Sequence, residues 1–184
     1  MAEWRKAIHE GVRSGTAASV LSTVVLVAAG RLQSRHAAAP TNATSQWIWG
    51  AEALHASAPS WRHTATGYAI HHGAAIFWAT LYARASAGSP RAATPAGALA
   101  GGLAAAAVAC FADYRLTPRR FTPGFEHRLS RGAMAWVYVA FGVGIAVASL
   151  ACRREAARAG RGDARGRAGL SRLPGHTAGD RLRR

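Results

Sequence analysis

TATGYAIHHGAAIFWATLYA, Thr64 to Ala83, runs for 20 residues without an Asp, Glu, Lys or Arg, in a chain that carries 23 basic residues. Arg62 stands just before it and Arg84 just after. At 1.5 Å rise per residue such a segment is about 30 Å long as a helix, close to the thickness of a bilayer's hydrocarbon core. Three further segments share this property: Ser14 to Gly30, Ala92 to Ala112 and Gly132 to Cys152. The expectation is an all-α fold, an integral membrane bundle of four transmembrane helices within residues 1–152, followed by a disordered Arg-rich tail over 153–184.

Composition looks contrary until it is divided along the chain. The net charge is +15 and the mean hydropathy is only +0.02, which would suit a soluble basic protein. Ten of the basic residues, however, lie after Cys152, in a tail with almost no large apolar residue to offset its chain entropy. A soluble helical bundle would also need a charged stripe at 3.6-residue period on each helix, and the four segments have none.

The segments differ in character. Ser14 to Gly30 contains the apolar run VLSTVVLVAA behind Arg5, Lys6 and Arg13, which resembles a signal peptide ending near Ala37-Ala38-Ala39. Arg31, Arg35 and His36 intervene before that point, which favours a retained helix. Ala92 to Ala112 is mostly Ala and Gly, suited to close backbone approach through Gly97 and Gly101, as is the last segment through Ala140 and Gly144. The third helix is therefore expected to be the one most enclosed by its neighbours.

With both termini cytoplasmic, inner segments hold 15 basic residues and outer ones 8, the bias expected for that orientation. The basic tail is then expected to lie along anionic lipid headgroups rather than on nucleic acid. Four crossings also place the loops Arg31 to His63 and Asp113 to Arg131 on one side. The first loop contains TNATSQWIWGAEALHA, which reads as a short interfacial helix after Pro40 with Trp47, Ala51 and Leu54 on one flank. In the second, Pro123 suits a helix start, so the last span is expected to carry Glu126 and His127 on its opening turns.

His71 and His72 lie about 10 to 12 Å inside the second segment, and ionisable residues at such depth usually face a bundle interior. Tyr68 is placed to bond His72, and Gly67 to pack beside His71. The candidate polar cluster is His63, His71, His72, Asp113, Glu126 and His127, and three roles stay open for it. The histidines are hydrogen-bonded packing residues; or they join the others as ligands for haem or a divalent metal, or as acid and base; or the group lines a path for a proton or small solute. No cofactor is specified, since HExxH and CxxC are absent, as are the signatures of phosphate transfer, serine hydrolysis and dinucleotide binding. Arg115, Arg119 and Arg120 suit a lipid phosphate or another anion. Cys110 and Cys152 fall at opposite ends of antiparallel spans, too far apart for a disulfide. Asn42-Ala43-Thr44 matches a glycosylation acceptor.

The strings NATSQWIWG, RHTATGYAIHHGAAIFWATLY and DYRLTPRRFTPGFEHRLSRG resemble those of a family of small four-span bacterial inner-membrane proteins without a characterised activity. That resemblance implies a bacterial inner-membrane location and implies no reaction. A structural or interaction component of that membrane, associating with itself or with other membrane proteins, is the expected role. A metal- or haem-dependent membrane enzyme, or a solute pathway, is the alternative.

Overall fold

The computed structural model describes the backbone of residues 1–170 and the side chains of residues 1–162. All regular elements among the described residues are helical. They are α1 (Ala2–Ser34), α2 (Ala39–Thr44), α3 (Gln46–Trp49), α4 (Thr66–Ala85), α5 (Pro95–Phe111) and α6 (Arg131–Leu170), with short 3-10 and π turns between them. Three helical stretches have both the length and the hydropathy to cross a membrane: Ala2–Ser34, Pro95–Leu116 and Arg131–Gly162. Helix α4 has the length, at 20 residues, but His71, His72 and the polar start Thr66-Gly67-Tyr68 dilute its hydropathy.

The ends follow from local chemistry. Helix α1 stops where Arg35 turns into the left-handed region at φ 60°. A π turn over Trp61–Ala65, capped by the Ser60 hydroxyl accepting from the His63 amide, leads into α4. The Thr94 hydroxyl accepts from the Gly97 amide and Pro95 occupies the first turn of α5, so that helix begins with its orphan amides partly satisfied. Gly97 is thus a capping neighbour, with its hydrogen side against the Arg91 carbonyl rather than against another helix.

The four long helices run alternately up and down. Around the bundle their order is α4, α1, α6, α5, with extensive seams between α1 and α4, α1 and α6, and α5 and α6, and little contact between α4 and α5. The seams are made of small residues. A Cβ on Gly11 would lie 2.6 Å from the Thr80 Cα, and one on Gly15 would lie 2.5 Å from the Ile76 Cα. Gly102 and Gly142 meet backbone to backbone between α5 and α6, and Gly144 meets Ala18 between α6 and α1. Ala18, Ala75, Ala79, Tyr82, Ala106, Phe141 and Ile145 fill the centre of one core cluster; Leu26, Ala29, Phe125, Leu129 and Val137 form a second near the long loops. Facing outward are Val20, Val24, Val27, Phe77, Leu99, Val108, Trp136 and Val147, an apolar exterior instead of the charged one of a soluble bundle.

Four expectations need correction. Helix α5 is the least enclosed of the three apolar helices, not the most, because only α6 packs closely along it. The segment after residue 38 is not one interfacial helix: it breaks at Ser45 and at Gly50, whose φ is +69°, and α2 is buried throughout. Glu126 and His127 do not ride on the last long helix. They sit in a separate 3-10 turn, Phe125–His127, because Gly124 at φ 84° turns the chain beside Ala43 before α6 starts at Arg131. Finally, α6 continues without interruption past Cys152 to Leu170, so 153–170 is not a structureless tail. Ala and Arg are strong helix formers, and Arg153 and Glu155 are tied to α1 at the start of this extension. The rest of the expected disordered tail, 171–184, lies outside the described residues.

Candidate functional site

The two ends of the bundle are built differently. One end gathers the start of α1, the end of α4 and the extension of α6 through ion pairs. Arg153 is central to it: its guanidinium donates to Glu10 at 3.0 Å, to the Ser86 hydroxyl at 2.6 Å and to the Ser86 carbonyl at 3.2 Å, and lies over the Tyr82 ring. Arg13 donates to Glu155 at 2.8 Å, and Arg84 reaches Glu3 at 3.9 Å while covering Trp4.

At the other end the two long connections pack on one another. The Gln46 and Trp47 side chains both donate to the Thr122 carbonyl, at 2.9 and 3.1 Å. Gln33 exchanges two hydrogen bonds with Ser130. Asn42, fully buried, donates to the Ala56 and Ala58 carbonyls at 3.1 and 2.9 Å and accepts from the Thr64 hydroxyl at 2.7 Å. Trp47 is turned inward, edge-on to Phe121, whereas Trp49 stacks under the Arg62 guanidinium, itself paired with Glu52.

Below this end, where α4 and α5 diverge, lies a cavity of about 400 Å³. Its walls are mainly aromatic and aliphatic, including Trp47, Phe77, Trp78, Phe121, Phe125 and Phe141. His71, Asp113, Tyr138 and Thr44 are among the polar residues of its lining. The Tyr138 hydroxyl donates to Asp113 Oδ2 at 2.6 Å, while Thr44, 3% exposed, has a hydroxyl without a partner among the described residues.

Each candidate residue can now be placed. His71 reaches across to α1, its Nε2 lying 2.9 Å from the Ser22 hydroxyl, and it also lines the cavity. His72 Nδ1 lies 2.7 Å from the Ser19 hydroxyl. Tyr68 tilts over the His72 ring, with centroids 5.6 Å apart, and does not hydrogen-bond it. Gly67 packs against the Thr41 carbonyl instead of beside His71. His63 is in the loop layer, with Nδ1 3.1 Å from the Ser45 hydroxyl. Glu126 approaches His127 at 3.9 Å and the Tyr114 hydroxyl at 3.5 Å. The six residues therefore do not form one cluster: only His71 and Asp113 share the cavity. Among the described residues no three His, Cys, Asp or Glu side chains converge as a metal site. Arg115, Arg119 and Arg120 are exposed beside the cavity-lining Thr117 and Phe121, with no carboxylate partner among the described residues. Cys110 and Cys152 are both free thiols.

No family model, curated protein or solved structure matches this chain.

Sequence reasoning missed Ser19, Ser22, Thr44 and Tyr138. For the serines a signal was present: Gly11, Gly15, Ser19 and Ser22 recur at spacings of four, four and three, one small-residue flank of a helix. Arg13 falls inside that run and masks it. Thr44 and Tyr138 carry no such pattern: the folding of the loops over α4 brings Thr44 to the cavity, and Tyr138 reaches it from α6.

Proposed function

We propose that this chain is a four-span component of the bacterial inner membrane, with both termini cytoplasmic, that holds a membrane-soluble ligand between α4, α5 and α6. The carrying observation is the cavity of about 400 Å³, walled by aromatic rings and supplied with a few polar groups. Ligand sites are concave, mostly apolar and sparsely polar in this way. A lipid-soluble molecule enters it from the side where α4 and α5 part, without passing through water.

Four crossings are supported by the alternation of the long helices and by α4 having α1 along its whole length. The Ser–His pairs remove the polar atoms of α4 from the lipid side, which is how buried histidines are accommodated in a membrane. Termini on one side are supported by the contact of α1 with the extension of α6. The exposed Arg115, Arg119 and Arg120 then sit at headgroup level outside, where each contributes about 1 kcal/mol toward an anionic lipid.

Two measurements test the reading. A reporter active only in the periplasm, fused after Arg184, is expected to stay silent; strong activity overturns the orientation. Native mass spectrometry of the full chain released from detergent is expected to show one retained apolar molecule, lost in Ala74→Trp, whose ring would occupy the cavity. A wild-type spectrum free of any retained molecule, together with no binding of added apolar ligands, removes the binding role.

A further inference from the structure

Asp113 differs from every other described carboxylate in what answers its charge. Glu3, Glu10, Glu52 and Glu155 each pair with an arginine, and Glu126 approaches His127. Asp113 has no Arg, Lys or His partner among the described residues, although the net charge of the chain is +15. It sits in the π turn Ala112–Leu116, at the end of an apolar stretch long enough to cross a membrane. A carboxylate at that level is costly, and such groups pair with a cation or mark the path of a ligand. Oδ2 accepts from the Tyr138 hydroxyl at 2.6 Å. Oδ1 has no hydrogen-bond partner among the described residues and is not among the buried atoms that lack one, so it stays accessible. One phenol hydrogen bond eases the burial of a carboxylate but does not neutralise it.

The cavity that Asp113 and Tyr138 both line has the matching composition. Among the described residues no Lys or Arg lines it. Its other ionisable residue of note, His71, is bonded to Ser22, and at about pH 7.5 a histidine is mainly uncharged. Aromatic rings come to the lining in neighbouring pairs: Trp47 with Phe121 at 5.8 Å between centroids, Phe77 with Trp78 at 5.4 Å, and Phe125 with Tyr138 at 6.3 Å. The face of an aromatic ring attracts a cation through its quadrupole. We infer that the cavity takes a monovalent lipophilic cation, an apolar body carrying one ammonium centre, with Asp113 as its counter-charge. This rests on the cavity being a ligand site at all. A single carboxylate calls for a single positive centre, and about 400 Å³ holds a body of drug size. A neutral lipid would leave Asp113 unanswered. An anionic one would meet a carboxylate inside, while its own counter-charges, Arg115, Arg119 and Arg120, are absent from the lining. The inference concerns binding and assigns no transport.

The test uses the full chain in uncharged maltoside micelles and three probes of one shape: phenylbutyl-trimethylammonium, its neutral isostere with carbon in place of nitrogen, and the anion phenylhexanoate. Each is titrated by tryptophan emission and corrected for partition into empty micelles. The ammonium is expected to bind about tenfold or more tightly than the isostere. Asp113→Asn keeps an acceptor for the Tyr138 hydroxyl and removes only the charge. It is expected to erase the preference while leaving isostere binding within about threefold of wild type. Should that variant fail to fold, the wild-type ranking of the three probes decides alone. Equal binding of ammonium and isostere, or tightest binding of the anion, overturns the inference while leaving the ligand site intact. A folded Asp113→Asn that keeps the full preference overturns it as well. No binding of any probe overturns both readings.

Discussion

Helix α4 has one flank closed and one flank open, and the contrast comes from what stands opposite each. Toward α1, Gly11 and Gly15 let the backbones approach until Thr80 and Ile76 touch the partner main chain, and Ser19 and Ser22 meet His72 and His71 at hydrogen-bond distance. Toward α5, the small residues that would allow the same approach are used elsewhere: Gly102 faces Gly142 of α6, and only Gly101 meets α4, at the Tyr82 ring. The void of about 400 Å³ is what remains. Small residues bring membrane helices together only where both partners present them in register, so an Ala- and Gly-rich helix can still be the one with a free side.

The sharpest way to break this contrast is to make one substitution on each flank. Gly15→Ala puts a methyl group 2.5 Å from the Ile76 Cα, where backbone must move, and is expected to cost about 3 kcal/mol. Thermal unfolding in mild detergent, followed by circular dichroism, reads it. Gly73→Ala on the open flank meets nothing within 4 Å and is expected to leave stability unchanged or raise it by up to about 1 kcal/mol. Equal losses at the two glycines would mean that the flanks do not differ.

Next in size is Arg153→Ala, which leaves Glu10 half-enclosed without its guanidinium and frees the end of α4 at Ser86. A loss of about 2 kcal/mol is expected, with part recovered by adding Glu10→Gln, since the uncompensated charge is then gone. No recovery in the double variant would place the cost in packing over Tyr82 rather than in charge. Ser19→Ala and Ser22→Ala each remove one hydroxyl from the closed flank and are expected to cost about 1 kcal/mol, the usual worth of a hydrogen bond between membrane helices. Ser22 is the partner of His71, which lines the cavity, so Ser22→Ala is expected to loosen the ligand more than Ser19→Ala does. Smallest is the replacement of Arg115, Arg119 and Arg120 by Gln, which is expected to lower the share of anionic lipid retained on purification without altering the unfolding midpoint.

Helix positions were legible because a charge is costly in hydrocarbon and the chain uses so many: each charge-free segment lies within or over a long helix, with α4 offset by only two residues at each end. The depth of His71 and His72 was legible for the same reason. Their partners were not, because a serine on α1 gains meaning only from the register against α4, and that register is set by Gly11 and Gly15 across Arg13. The fate of the carboxylates was hidden by Gly124, whose left-handed turn detaches Glu126 from α6. Thr44 and Trp47 read as interfacial residues by composition, yet the folded loops turn them inward.

Asn42 has a consequence outside the bundle's own architecture. The Asn-Ala-Thr acceptor pattern is present, but the folded protein spends both amide hydrogens and the carbonyl oxygen of Asn42 on tying residues 56 to 64 to α2, with no surface left to an enzyme. A sugar could be attached there only before the loop closes, and would then keep it open. With the orientation proposed above, and produced in a host that glycosylates secreted chains, the protein would thus record its own history: the sugar-bearing fraction counts the molecules whose first long loop had not yet closed when the transferase met them.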